Sequence, residues 1–185
     1  VRAFVAVVPP PAALAAVGEA VMALRGTYAG VTWVPVERMH VTLAFLGDVT
    51  GDVAARVGSG LADALRDSPP FALRVAGGGA FPRTARPNVL WAGVTGDVEA
   101  LDMLARKAFR VARAAGVAIE RAPYLPHLTV ARVRRRDLDG HAAVAALDAV
   151  HGEPWQVTEA VLMRSHLGPK PSYEPLVRAP LGYQA

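Results

Sequence analysis

The sequence predicts an α+β fold: two pseudo-symmetric lobes of mainly antiparallel sheet with outer helices around a central cleft. Three observations lead there. Strand-like runs adjoin one another across short loops rather than alternating strictly with helices, which favours antiparallel pairing. A strand-like segment opening His-x-Thr occurs once in each half, at His40-Val41-Thr42 and at His127-Leu128-Thr129, with helices recurring around each. No Pro/Ser-rich linker and no low-complexity tract divides the 185 residues, so the halves share one body.

Taken in order, Arg2 to Val8 reads as a first strand, stopped by Pro9, Pro10 and Pro11. Pro11 to Arg25 reads as a helix, because proline suits a first helical turn and Leu14, Val17, Val21 and Leu24 recur at helical spacing. Gly26 marks its end. Val31 to Val34 is a short extended segment, and Met39 to Leu46 a strand ended by Gly47-Asp48. Residues 51–66 form a second helix with Val53, Val57, Leu61 and Leu65 on one stripe, and Asp48 or Thr50 is placed to cap it. Phe71 to Ala76 is a strand that Gly77-Gly78-Gly79 breaks or bulges. Val89 to Val94 is the next strand. Val98 to Ala115 is a third helix with Leu101, Leu104, Ala108 and Val111 inward. His127 to Val133 is a strand entered through Pro126, residues 137–150 a helix, Trp155 to Leu162 a strand and Tyr173 to Ala179 a short last one.

Composition narrows the function. An apolar fraction of 52% and a charged fraction of 19% suit a folded globular chain. No apolar run approaches the roughly 20 residues of a membrane span, and no export signal is seen, so a cytoplasmic monomer with no membrane attachment is the expectation. The absence of cysteine excludes disulfides, thiolate metal sites and a cysteine nucleophile. A net charge of +4, carried mainly by arginine, and a pI near 10.0 fit a polyanionic partner.

The paired His-x-Thr segments carry the chemistry. Strict alternation along a strand puts His40, Thr42 and Ala44 on one face against Val41, Leu43 and Phe45. It likewise puts His127, Thr129 and Ala131 against Leu128, Val130 and Arg132. Two such strands side by side offer two imidazoles and two hydroxyls on one floor. Opening a cyclic phosphate requires water deprotonated on one side of phosphorus and the leaving oxygen protonated on the other. With an ordinary pKa near 6.5, one histidine serves each task, and threonine hydroxyls can donate to the non-bridging oxygens. A single His-x-Thr is more often a hydrogen-bonded structural feature; the second copy in the same context is what gives weight to catalysis.

These segments resemble the 2H phosphoesterases, and within them the bacterial and archaeal RNA 2′,3′-cyclic phosphodiesterase family, also called 2′-5′ RNA ligase. The resemblance runs through Trp33-Val34, His40 to Gly47 and Pro126 to Arg132. It extends to Arg2 to Val7, Arg86 to Trp91 and, more loosely, the Ser165 to Glu174 stretch. It implies one bilobal domain over residues 1–185. The implied enzyme is an RNA 2′,3′-cyclic 3′-phosphodiesterase, a hydrolase that needs neither metal nor cofactor and acts on RNA or nucleotides with cyclic phosphate ends. By the resemblance, His40 gives a proton to the leaving 3′ oxygen, His127 activates water, and the product is a 2′-phosphate. The sequence itself does not assign donor and acceptor. Two alternatives stay open: a 2′,5′-linkage phosphodiesterase or RNA ligase with the same site, and a non-catalytic RNA-end binding protein.

Thr42, Thr129, Arg132 and Tyr173 are the candidate substrate-binding residues beside the catalytic pair. Alternation sets Arg132 opposite His127 unless the strand ends there, and favours a core position for Phe45. Trp33, Trp91 and Trp155 read as core or lobe packing. Arg134-Arg135-Arg136 is the strongest basic run, either a solvated loop or an RNA contact, with Arg83 and Arg86 as weaker counterparts. His141, His151 and His166 lack the flanking pattern, and no metal-ligand spacing is found.

Overall fold

The computed structural model describes residues 1–120 and 122–182. Among them lie four α-helices and nine strands. In chain order these are β1 (Arg2–Val7), α1 (Pro11–Arg25), β2 (Val31–Trp33), β3 (Val41–Asp48), α2 (Gly51–Ala64), β4 (Phe71–Arg83), β5 (Arg86–Gly96), α3 (Val98–Ala114), β6 (Leu128–Val133), α4 (His141–Asp148), β7 (Trp155–Val157), β8 (Glu159–His166) and β9 (Ser172–Pro180). The strands form one antiparallel sheet in the order β7-β4-β5-β6-β3-β1-β8-β9, with β2 added on β6. β6 and β3 meet at its middle, and the flanking strands make the two halves that the repeated motif implies.

The helices form for the reasons that their sequences give. In α1, Pro11 occupies the first turn and Leu14, Val17, Val21 and Leu24 are buried. Thr50 rather than Asp48 caps α2, its hydroxyl accepting from the Val53 amide at 3.2 Å. Asp97 does the same for α3 through the Ala100 amide at 3.0 Å. α3 buries Leu101, Leu104, Ala105, Ala108 and Ala112, while Val111 lies at the edge of that stripe. α4 begins later than its apolar pattern suggests: the Asp139 carboxylate accepts from the His141 amide at 3.0 Å and stops the loop from winding earlier.

Two strands differ from the expectation. The triple glycine does not end β4, which continues to Arg83. A register shift between Val75 and Gly78 absorbs Ala76 and Gly77, and Gly77 takes a φ of 76°. Gly79 lies flat beneath the Trp91 ring, where any side chain would overlap the indole. The run Trp155 to Leu162 is two strands. β7 pairs with β4 in one half and β8 with β1 in the other, and the change of side falls at Thr158, whose carbonyl accepts the Leu181 amide at 2.8 Å. Alternating apolar residues run through both, so periodicity alone does not reveal the switch. β9 closes the far edge, where Pro175 and Pro180 interrupt no inner ladder.

One continuous core lies between the sheet and the helices, including Val5, Val7, Val41, Leu61, Leu90, Leu101, Leu128 and Leu147. A second, small cluster of Phe4, Ala6, Val161 and Met163 lies apart from it, with Tyr173 packed against it. Among the described residues no helix is long and apolar enough to cross a membrane.

Candidate active site

β3 and β6 touch at one antiparallel pair, Val41 opposite Leu128, and both side chains are fully buried in the main core. Stepping one residue from that pair turns the side chains to the other face. His40 then lies opposite Thr129, and Thr42 opposite His127. The two motifs are thus related by a local two-fold axis, and their imidazoles and hydroxyls share the face away from the core. All four residues are half-buried. The histidines stand immediately before their strands rather than inside them, since β3 begins at Val41 and β6 at Leu128.

Each imidazole is held in the same way. His40 Nδ1 donates to the Arg38 carbonyl at 2.8 Å, and His127 Nδ1 donates to the Leu125 carbonyl at 2.7 Å. Because the partner is a carbonyl, Nδ1 must carry the proton, which leaves Nε2 as the lone-pair nitrogen, without a hydrogen-bond partner among the described residues, on both rings. Each ring also has an aromatic wall. His40 stacks on Phe4 with centroids 4.7 Å apart and meets the edge of Tyr173 at 5.2 Å. His127 meets Phe81 edge-on at 5.1 Å, with Trp91 at 6.3 Å. Burial against the Phe4 cluster holds the His40 pKa below the ordinary histidine value; the Arg38 carbonyl opposes this, and the charges of His127 and Arg132 add to the lowering.

Beyond the threonines the expected alternation fails, and it fails in the same way in both motifs. β1 pairs Val5 with Ala44 and Ala6 with Thr42, leaving Leu43 as an extra residue. β5 pairs Leu90 with Ala131 and Trp91 with Thr129, leaving Val130 extra. A bulge puts two successive side chains on one side. Leu43 and Ala44, like Val130 and Ala131, therefore all enter the core, and the alanines do not open space beside the histidines. Parity then reverses, so Phe45 and Arg132 return to the face of the histidines. Phe45 is 49% exposed instead of buried, and the Arg2 guanidinium lies 4.8 Å above its ring. Arg132 is exposed, with its charge felt at His40.

The structure brings His40, His127, Thr42, Thr129, Arg132 and Tyr173 to one face. Tyr173 reaches it from β9, where it pairs with Ser165 and packs edge-on against Phe4 at 5.0 Å. Arg38 keeps this hairpin close by donating to the Pro171 carbonyl at 3.0 Å, with its guanidinium 5.8 Å from the Tyr173 ring. Sequence reasoning missed Phe4 and Phe81 and assigned Trp91 to packing. Trp91 does pack on Phe81, at 5.3 Å, but it also walls His127. The place of Trp91 directly opposite Thr129 follows from the β5–β6 register, which includes the bulge at Val130, and carries no local sequence signal. Trp155 is buried as expected, and Trp33 is half-buried on β2.

His141 and His151 are exposed and outside the site, and His166 pairs with Glu174 at 2.8 Å. Among the described residues no three His, Asp or Glu side chains converge to hold a metal ion. Past Thr42, β3 leaves β6, and the gap is spanned by Tyr124, whose hydroxyl donates to the Thr42 carbonyl at 2.9 Å. A cavity of about 670 Å³ opens there between β3 and α3, lined by Phe45, Phe109, Ile119 and Tyr124 among others. In the other half β2 fills the corresponding edge of β6, pairing Trp33 with Ala131 and Val31 with Val133.

Known proteins resemble this chain in sequence and in fold. The profile of the 2′-5′ RNA ligase superfamily matches residues 9–169. An RNA 2′,3′-cyclic phosphodiesterase of Geobacillus stearothermophilus is 34% identical over 151 residues, which are 81% of this chain and 48% of that protein. The match therefore spans about half the length of that relative. An RNA 2′,3′-cyclic phosphodiesterase of Methanothermobacter thermautotrophicus is 35% identical over 148 residues, 79% of each chain. The crystal structure of TT0787 of Thermus thermophilus superposes with a TM-score of 0.78 at 28% identity, covering 98% of both chains. With the profile running through both motifs and the fold matched end to end, the chain belongs to the 2′-5′ RNA ligase superfamily of 2H phosphoesterases.

Proposed function

We propose that the protein hydrolyses 2′,3′-cyclic phosphate ends of RNA to 2′-phosphates. The observation that carries this is the pair of imidazoles related by a local two-fold axis, each with Nδ1 tied to a backbone carbonyl and Nε2 free. In the proposed reaction His127 Nε2 takes a proton from water as its oxygen attacks phosphorus. The bond from phosphorus to O3′ breaks, and the proton on His40 Nε2 goes to O3′. The product carries a 2′-phosphate and a free 3′-hydroxyl. The lowered pKa of His40 makes its protonated form a stronger acid toward the leaving oxygen, and the negative charge of a bound phosphate favours that protonated form. Thr42 and Thr129 donate to the non-bridging oxygens, where charge accumulates. Phe45 offers its ring to the base, and Arg132 its planar fork to the phosphate. The names of the relatives, RNA 2′,3′-cyclic phosphodiesterase, support the same substrate class.

The test uses a short RNA with a 2′,3′-cyclic end, with the product phosphate located by 31P NMR. The parent should yield the 2′-phosphate. His40→Ala and His127→Ala should each lower kcat by at least about a hundredfold with binding retained. Turnover close to the parent in both variants would overturn the mechanism. Tight binding with negligible parent turnover would make the protein an RNA-end binder instead.

A further inference from the structure

The site accounts for Arg132 but not for the arginines beyond it. Arg83 and Arg86 face each other across the tip of the β4–β5 hairpin. Arg134 and Arg136 lie just past the end of β6. β5 and β6 are neighbours, with Val89 opposite Arg132, so the hairpin tip and the end of β6 project from the same end of the sheet. The two segments are also joined directly. Gly140 at the end of the arginine loop donates its amide to the Thr84 carbonyl at the hairpin tip, at 2.9 Å. A side chain at Gly140 would collide with that carbonyl and with Pro87.

All five arginines are exposed, and none takes part in an ion pair among the described residues. The acids of the loop are engaged elsewhere: Asp137 holds Arg135 at 3.1 Å, and Asp139 binds His141. Arg135 is turned away from the group, its stem lying over Gly30, which has a φ of 73°. α3 shows the contrast. Its Arg106 is neutralised by Asp102 at 2.8 Å, and the cavity beside it also carries Glu120. The bulge at Val130 puts Arg132 on the face of His127, and Arg134 follows two residues farther out, just past the end of the strand. Positive charge therefore starts at the phosphate site and continues outward past the hairpin tip. A run of guanidiniums without acidic partners fits a chain of phosphodiesters.

We propose that Arg83, Arg86, Arg134 and Arg136 form a track for the RNA backbone 5′ of the cyclic end, so that the protein prefers an oligonucleotide to a mononucleotide. This rests on the reading above that the two-histidine site takes a cyclic phosphate.

The experiment compares kcat/KM for a nucleoside 2′,3′-cyclic phosphate with that for a six-nucleotide RNA carrying the same end. The proteins are the parent, R83Q/R86Q, R134Q/R136Q and the quadruple variant. A fluorescent RNA ending in a 2′-phosphate is titrated against each across salt concentrations. The parent should favour the RNA. The quadruple variant should lose on the order of tenfold on the RNA at low salt and keep its mononucleotide rate. Its salt dependence of binding should become shallower, by up to about 3 in log–log slope if all four contacts are lost. The paired variants should fall between, and R106Q/R110Q on α3 should resemble the parent. An unchanged RNA preference with an unchanged salt slope overturns the track, as does a loss confined to the α3 variant. A parent that turns over neither substrate overturns the cyclic-phosphate reading and the preference with it, and binding then shows separately whether the arginines hold RNA.

Discussion

Val41 and Leu128 face each other at the one pairing between β3 and β6, and that contact sets the alignment of His40 with Thr129 and of His127 with Thr42. Both side chains belong to the main core, so the packing that stabilises the sheet also fixes the spacing of the proposed catalytic groups. Leu128→Ala removes a fully buried side chain and should cost about 2–5 kcal/mol of stability. Assayed well below its melting temperature, the variant should also lose kcat, because His127 and Thr129 flank the vacated position. Denaturant unfolding and steady-state rates on the same preparation check this. A destabilised protein with parental kcat would show that the pair supports the fold alone.

His40 should titrate below 6.5, as read by NMR of its ring resonances. Burial is the largest cause and Phe4 stacks on the ring, so Phe4→Ala should move the titration upward. The sign for stability follows by linkage. Between the lowered folded pKa and 6.5 the unfolded chain binds more protons, so stability rises with pH across that window. The contribution is fully present above 6.5 and is lost as pH falls through the folded pKa. In Phe4→Ala this dependence should flatten, once the variant is compared with itself across pH. A His40 titration at or above 6.5 in the parent would contradict the assignment.

Arg132 should matter twice. Arg132→Gln removes the charge proposed to pair with the phosphate and should lower kcat/KM by about ten- to a hundredfold, the range of about 1.5–3 kcal/mol for a charge-assisted hydrogen bond. It should also raise the His40 titration, because the Arg132 charge contributes to the lowering. Arg132→Lys should restore the second effect but only part of the first, since an ammonium lacks the planar fork. A kcat/KM unchanged in Arg132→Gln would place the side chain outside the substrate's reach.

The histidines and threonines were legible in the sequence because each motif is short, local and repeated. Helices such as α1 and α3 were legible because their apolar stripes are uninterrupted and their ends carry proline, aspartate or glycine. What escaped depends on partners distant in the chain. Whether Phe45 and Arg132 face the cleft is decided by bulges at Leu43 and Val130, which exist only in register with β1 and β5. Nothing within His127 to Arg132 itself announces the extra residue. The Phe4 and Phe81 walls come from strands outside the motifs, and the crossing at Thr158 lies inside an apolar run that reads as one strand.

Tyr124 joins the two motifs where no strand does. Its hydroxyl donates to the carbonyl of Thr42, and it stands three residues before His127, at the point where β3 and β6 have parted. Burial pushes its phenol far above the ordinary tyrosine value, so the hydroxyl remains a donor across any assay pH. Tyr124→Phe keeps the ring and removes one donor from a half-buried carbonyl, which should cost about 0.5–1.5 kcal/mol. If the bond also positions the approach to His127, the variant should lose kcat with KM little changed, and its pH profile should keep its shape, because no titrating group is altered. Loss of stability with kcat intact would confine the bond to the fold. Loss of kcat with a displaced His127 resonance would show that one hydroxyl-to-carbonyl hydrogen bond between the halves holds the second imidazole in line.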